Sequence, residues 1–162
     1  MSLAQAERDA EQLLDSSWGT SLPVDPFELA RSLGIEVRFV WLPPDVSGRI
    51  TIQPHGAAVI ELNSWDHPNR QRFTCAHEIA HYLRRKKRGF RGKTFVDYRD
   101  TLAGLGIDSE EIYANQFAAA LLMPAKLVRR QYRQQRSAET LASVFRTSEQ
   151  AMRLRLKTLR VP

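Results

Sequence analysis

Apolar and polar positions alternate along this chain with two periods, and the switches between them mark out its elements. "AQAERDAEQLLD" sets Ala6, Ala10, Leu13 and Leu14 at the spacing of one helix face, so a helix opens the chain. "VDPFELARSLG" predicts a second helix with its boundaries written in. Asp25 can accept from first-turn amides, Pro26 suits the first helical position, and Gly34 can close the end. In "IEVRFVW" the period drops to two, with Ile35, Val37, Phe39 and Trp41 on one side of a strand that Pro43 and Pro44 end. "SGRITIQPHGAAVIEL" predicts a hairpin with strands near 49–53 and 57–62 and a turn around "PHG".

The helical period returns after "SWDHPNRQ", which supplies a cap and a proline, and this helix should end near Gly89. Residues 90–107 hold three aromatics and three glycines without a clear period and read as a long ordered loop, a feature that is often functional inside compact domains. "GIDSEEIYANQFAAALLMP" predicts a helix capped by Asp108 or Ser109, with Glu110 and Glu111 in the favourable first turn. Pro124 ends it or starts its successor. "SAETLASVFRTSEQAMRLRLKTL" reads as two short helices separated near 146–148. Trp18, Trp41 and Trp65 are expected in the core. The pattern predicts an α+β fold with a small β-sheet, divided into a domain over 1–124 and a basic helical extension over 125–162.

At 162 residues the chain can bury a core without disulfides or metals as props. No apolar run approaches the ~18 residues of a membrane helix, and "MSLAQAERDAEQLL" lacks the apolar centre of a secretory leader. The single cysteine, Cys75, cannot pair within the chain, which fits a reducing compartment and predicts a cytoplasmic protein. Charge changes the picture more. The net charge is +6, yet the first 70 residues carry five basic and ten acidic side chains. Residues 84–93 carry seven basic and no acidic ones, and 126–162 carry ten against Glu139 and Glu149. Such asymmetry points to an anionic partner, nucleic acid or an acidic protein surface, unless these are solvated faces. The run after His81 could steer an acidic substrate.

The candidate chemistry sits in "RFTCAHEIAHYL". On a helix, His77 and His81 lie one turn apart on the same face, so two imidazoles can converge on one Zn²⁺ at ~2 Å each. Glu78 falls beside the first, where a general base can reach a water without ligating the ion. Phe73, Ala76, Ala80 and Leu83 give the same helix an apolar stripe that takes it inside the fold, where imidazoles need partners. Glu111 is the candidate third ligand. It shares a face with Ala114, Asn115 and Ala118, whose small alanines allow close helix packing. Asn115 is placed to hold a ligand in position. Glu110, about 100° round the helix, is the alternative ligand. Two histidines and a carboxylate leave one open position, as a catalytic zinc site requires. Cys75 reads as buried packing. His55 and His67 sit in loops from which either could steady an oxyanion.

"RFTCAHEIAHYL" followed by "EEIYANQFAAALLMP" resembles the ImmA/IrrE metallopeptidases, and "VDPFELARSLGIEV" extends the likeness over roughly 6–124. The resemblance implies a zincin-like core of gluzincin type, zinc held by His77, His81 and Glu111, and catalysis by Glu78. It also implies a helix-turn-helix repressor as substrate, whose cleavage releases mobile-element or stress-response genes. One departure is Cys75, where the family pattern leads one to expect an aliphatic residue. The tail has helix-turn-helix spacing, with Ser148 as a cap and Gln150, Arg153 and Lys157 expected along the outer side, within reach of phosphates. A helical hairpin closing the core fits the same pattern. A second function class therefore stands beside the peptidase: a DNA- or protein-binding module whose metal site is structural or vestigial.

Overall fold

The computed structural model describes residues 2–98 and 108–162. Among them run α1 (Leu3–Ser17), α2 (Pro26–Ser32), β1 (Ile35–Val40), β2 (Val46–Ile52), β3 (Ala58–Asn63), α3 (Pro68–Lys87), β4 (Lys93–Tyr98), α4 (Ser109–Leu122), α5 (Ala125–Gln134), α6 (Ala138–Phe145) and α7 (Glu149–Thr158). The arrangement is α+β. The local rules act where the sequence places them. Asp25 Oδ1 accepts from the Phe27 and Glu28 amides at 2.9 and 3.2 Å, the Asp108 side chain from the Glu110 amide, and the Ser148 side chain from the Ala151 amide. Gly34 ends α2 at φ +79°, a conformation open to glycine.

The sheet has the order β1-β3-β2-β4. β2 and β3 form the expected hairpin, with Ile50 opposite Ile60. β1 joins β3 in parallel, Val37 beside Ile60. β4 pairs antiparallel with β2 inside the segment read as loop, so that expectation is corrected over 93–98; 90–92 are loop, and 99–107 lie outside the described residues.

Helix α3 crosses the β2–β3 face with α4 on its other side. Buried on both flanks, it exposes almost nothing between Arg72 and Tyr82 apart from part of Phe73. Gly48 makes the close approach possible, since a Cβ there would lie 2.6 Å from Thr74 Cγ2 and 2.9 Å from the Glu61 carbonyl.

Two apolar clusters form. The larger joins α1, α2, the sheet, α3 and α4; the smaller gathers Met123, Leu127, Val128, Phe145, Met152 and Leu156. Buried arginines tie them together. Arg72 donates to the carbonyls of Val24 and Arg146, and Arg155 donates to the Met123 carbonyl at 2.9 Å while forking onto the Glu7 carboxylate. Arg146 itself stands at φ +51°, filling with a side chain the left-handed position that commonly takes glycine.

Two tryptophan expectations fail. Trp41 and Trp65 are 69% and 79% exposed, while Trp18 packs at the core margin. β1 is an edge strand. Its apolar side is covered at Ile35, is only half covered at Phe39 where the Phe27 ring reaches it, and runs out of partners beyond.

Candidate metal centre

α3 carries His77 and His81 one turn apart, with ring centroids 4.9 Å apart and Nε2 atoms 3.1 Å apart. α4 brings Glu111 between them. One carboxylate oxygen lies 3.1 Å from His77 Nε2 and the other 3.0 Å from His81 Nε2. Ala114 and Ala118, three and seven residues after Glu111, are fully buried, which lets α4 close on α3.

The other ring nitrogens are also engaged. His77 Nδ1 lies 2.9 Å from Asn115 Oδ1, so that nitrogen carries the proton and Nε2 presents its lone pair. His81 Nδ1 faces Glu110 at 3.5 Å, an ion-pair distance rather than a short hydrogen bond. Glu110 is in turn flanked by Arg85 at 3.5 Å and Arg88 at 3.9 Å. Two imidazole Nε2 atoms and a carboxylate thus converge on one small volume, a donor set that a divalent cation could share. The three ligand atoms sit within 4.8 Å of one another. Ligands ~2.1 Å from a tetrahedral ion stand about 3.4 Å apart, so the 3.0–3.1 Å separations need only a few tenths of an ångström of adjustment. The residues present fit a divalent metal.

Electrostatics point the same way. Burial would raise the Glu111 pKa, but hydrogen bonds and charge from His77 and His81 outweigh it and hold the carboxyl far below its usual range. Burial also works against a charged His81, yet Glu110 and Glu111 together pull its pKa upward. Contact with His81 holds Glu110 low against its own partial burial, with help from Arg85 and Arg88.

Glu78 sits next to His77 on α3 and is fully buried. Cys75 is buried too, its thiol pushed up by desolvation and 3.6 Å from the Pro26 carbonyl. His67 caps α3, its Nδ1 accepting from the Asn69 amide, and lines the groove described below; His55 lies in the β2–β3 turn. The role of Glu110 was missed by sequence reasoning, although Arg85 one turn beyond His81 was a usable hint. The basic run is partly committed inside the molecule: Arg85 and Arg88 face Glu110, and Lys87 pairs with Asp9 at 3.1 Å.

The histidines are almost wholly covered, whereas the Glu111 side chain is 31% exposed, so the centre opens on one side. It opens into a groove of about 900 Å³ running between α3, α4 and α7, with Phe73, Ile112, Gln116, Leu122 and Leu154 among its walls.

Comparison with known proteins fits this geometry. The family model for the IrrE N-terminal-like domain, peptidase family M78, matches residues 30–157. The radiation response metalloprotease IrrE of Deinococcus deserti is 36% identical over 118 residues, 71% of this chain and 39% of that protein. A Mycobacterium tuberculosis transcriptional regulator superposes with a TM-score of 0.70 at 23% identity, over 98% of this chain and 48% of that one, a likeness of fold. The chain thus spans less than half the length of either relative. With a family match that takes in both histidines, Glu111 and the helices that carry them, the chain belongs to the ImmA/IrrE metallopeptidase family.

Proposed function

We propose that the chain is a zinc-dependent endopeptidase that cleaves a helix-turn-helix transcriptional repressor and so relieves repression of mobile-element or stress-response genes. One observation carries the reading: two imidazole Nε2 atoms and a carboxylate, 3.0–3.1 Å apart, opening into a groove of about 900 Å³. His77, His81 and Glu111 would hold the ion, and this donor set suits zinc while leaving a position open. Bound there, zinc supplies Lewis acidity toward a water and a peptide carbonyl. Glu78 takes the proton as the water oxygen bonds to the carbonyl carbon, then gives it to the amide nitrogen as the C–N bond breaks. Asn115 holds the His77 ring and fixes its tautomer. The peptidase unit spans 1–124 and the helical extension 125–162. The peptidase activity is supported by family membership, and a stress-response setting by the Deinococcus relative being a radiation response metalloprotease. A cytoplasmic setting is supported by the lone buried thiol.

The alternative, a DNA- or protein-binding module with a structural metal site, draws on the capped α6–α7 pair and its basic residues. Glu78→Gln separates the two. The variant should keep about one zinc per chain by elemental analysis. Its cleavage of repressors from the same genome should fall by a factor of about 10²–10⁴. A wild type that holds zinc and cuts nothing would leave the binding module standing, whereas undiminished cleavage by the variant would keep the peptidase and remove Glu78 as its base.

A further inference from the structure

The helix-turn-helix pattern of the tail invites the expectation that α7 faces outward toward DNA. The structure turns part of it inward. Ser148, Gln150, Ala151, Leu154 and Thr158 line the same groove as His77 and Glu111. Leu154 is 65% exposed there, and Ile112 on α4 is 37% exposed, two of the few large aliphatic side chains left uncovered among the described residues. The groove therefore runs from the metal centre to a bare leucine on the neighbouring helix.

Its chemistry suits polypeptide rather than phosphate. Two arginines line the groove: Arg155 is buried and committed to Glu7 and the Met123 carbonyl, and Arg70 on α3 donates to the Ser47 hydroxyl. Arg153 and Lys157, the exposed cations of α7, lie outside the groove lining. A nucleic-acid surface needs cations presented to phosphates. The groove instead presents aliphatic side chains interleaved with the amides of Asn69, Gln116 and Gln150, which can donate to and accept from a peptide backbone.

We propose that α7 is the far wall of the substrate groove, and that Leu154 is a specificity-determining residue that receives an aliphatic side chain of the bound polypeptide, away from the bond to be cut. The occupant is a segment of the substrate protein, because the groove is continuous with the centre that would cut it. This inference rests on the peptidase reading for its biological sense, but its binding component can be read without any cleavage.

The test uses the full chain carrying Glu78→Gln, loaded with zinc, to select from a random-peptide library. Selected peptides should be enriched in Leu, Ile, Val or Met. The strongest, labelled for fluorescence polarisation, should bind Glu78→Gln/Leu154→Asp roughly tenfold more weakly. Leu3→Asp in the same background, an exposed leucine on α1, should leave binding unchanged. Glu78→Gln/Leu154→Ala, which adds no charge, should weaken binding in the same direction and guards against misfolding. Failure to select any peptide, absence of aliphatic enrichment, or equal binding by the Leu154 variants would overturn the proposal. Cleavage is scored separately by mass spectrometry of a proteome-derived peptide library exposed to the protein with Glu78 intact. Leu154-dependent binding without cleavage would sink the peptidase reading and leave the groove. Cleavage with equal KM in the Leu154→Asp variant would sink the groove assignment and leave the peptidase.

Discussion

Glu110 is the residue on which the account of the metal centre is most exposed to refutation. Glu110→Gln keeps the shape of the side chain and removes its charge, while Glu111 stays in place. Loss of a group that orients a metal-bound histidine typically costs 10–100-fold in affinity. Two features place this site at the lower end. The Glu110–His81 separation is 3.5 Å, longer than the 2.7–2.9 Å of a strong charge-assisted hydrogen bond, and Arg85 and Arg88 share the same carboxylate. The expected loss is therefore about tenfold, or roughly 1.4 kcal/mol. Competition against a chromogenic zinc chelator measures it directly, with Glu111→Gln alongside. Glu111→Gln should lose far more, since it removes a ligand. An unchanged affinity in Glu110→Gln would refute the orienting role. A loss as deep as that of Glu111→Gln would mean that Glu110 ligates, and that the two glutamates have been given the wrong parts.

Three other perturbations test the framework around the centre. Gly48→Ala should destabilise the fold by about 1–3 kcal/mol in urea titration, because its Cβ must displace Thr74 or the Glu61 carbonyl; a neutral effect would mean that α3 is not closely seated on the sheet. Arg155→Met should lower stability by roughly 2–3 kcal/mol, since it removes hydrogen bonds from a charged, buried donor but leaves Glu7, 34% exposed, able to rehydrate. The third concerns acid. Burial raises the Asp9 pKa, but hydrogen bonds from Tyr113, Lys87 and Gln5 outweigh it and hold the carboxyl below its usual value. A depressed folded-state pKa gives stability that is present above about pH 4 and lost as pH falls through the lower, folded value. The stability of Asp9→Asn should accordingly vary less with pH below about 4 than that of the wild type, and identical slopes would remove Asp9 from the account.

The elements most legible in the sequence were those defined by local physics. Asp25, Asp108 and Ser148 announce their helices by capping chemistry, and the 3.6-residue period alone puts His77 and His81 on one face. Glu111 was legible because alanines three and seven residues on predict a closely packed face. What stayed hidden depends on distant partners. "KTFVDY" becomes β4 because β2 offers it a free edge, and nothing within the six residues says so. Phe39 and Trp41 continue the alternation begun at Ile35, yet burial also needs a covering layer, and β1 lies at the sheet margin. Glu110 and Glu111 differ in sequence only by position, and their separate neighbours, both histidines for one and His81 with two arginines for the other, follow from 100° of helical rotation and the placement of Arg85 and Arg88. The groove belongs to no single segment, since its walls come from three helices.

The guanidinium ties between the two apolar clusters bear on how such a chain can be inherited or recombined. Glu7 near the start grips Arg155 near the end, and Arg72 from the histidine helix holds the backbone at Arg146. An exchange of C-terminal helices between relatives that broke the Glu7–Arg155 pairing would leave a buried cation or a carboxylate without its counterpart. First and last segments are thus bound to travel together, and lineages that vary this region are expected to change positions 7 and 155 in concert.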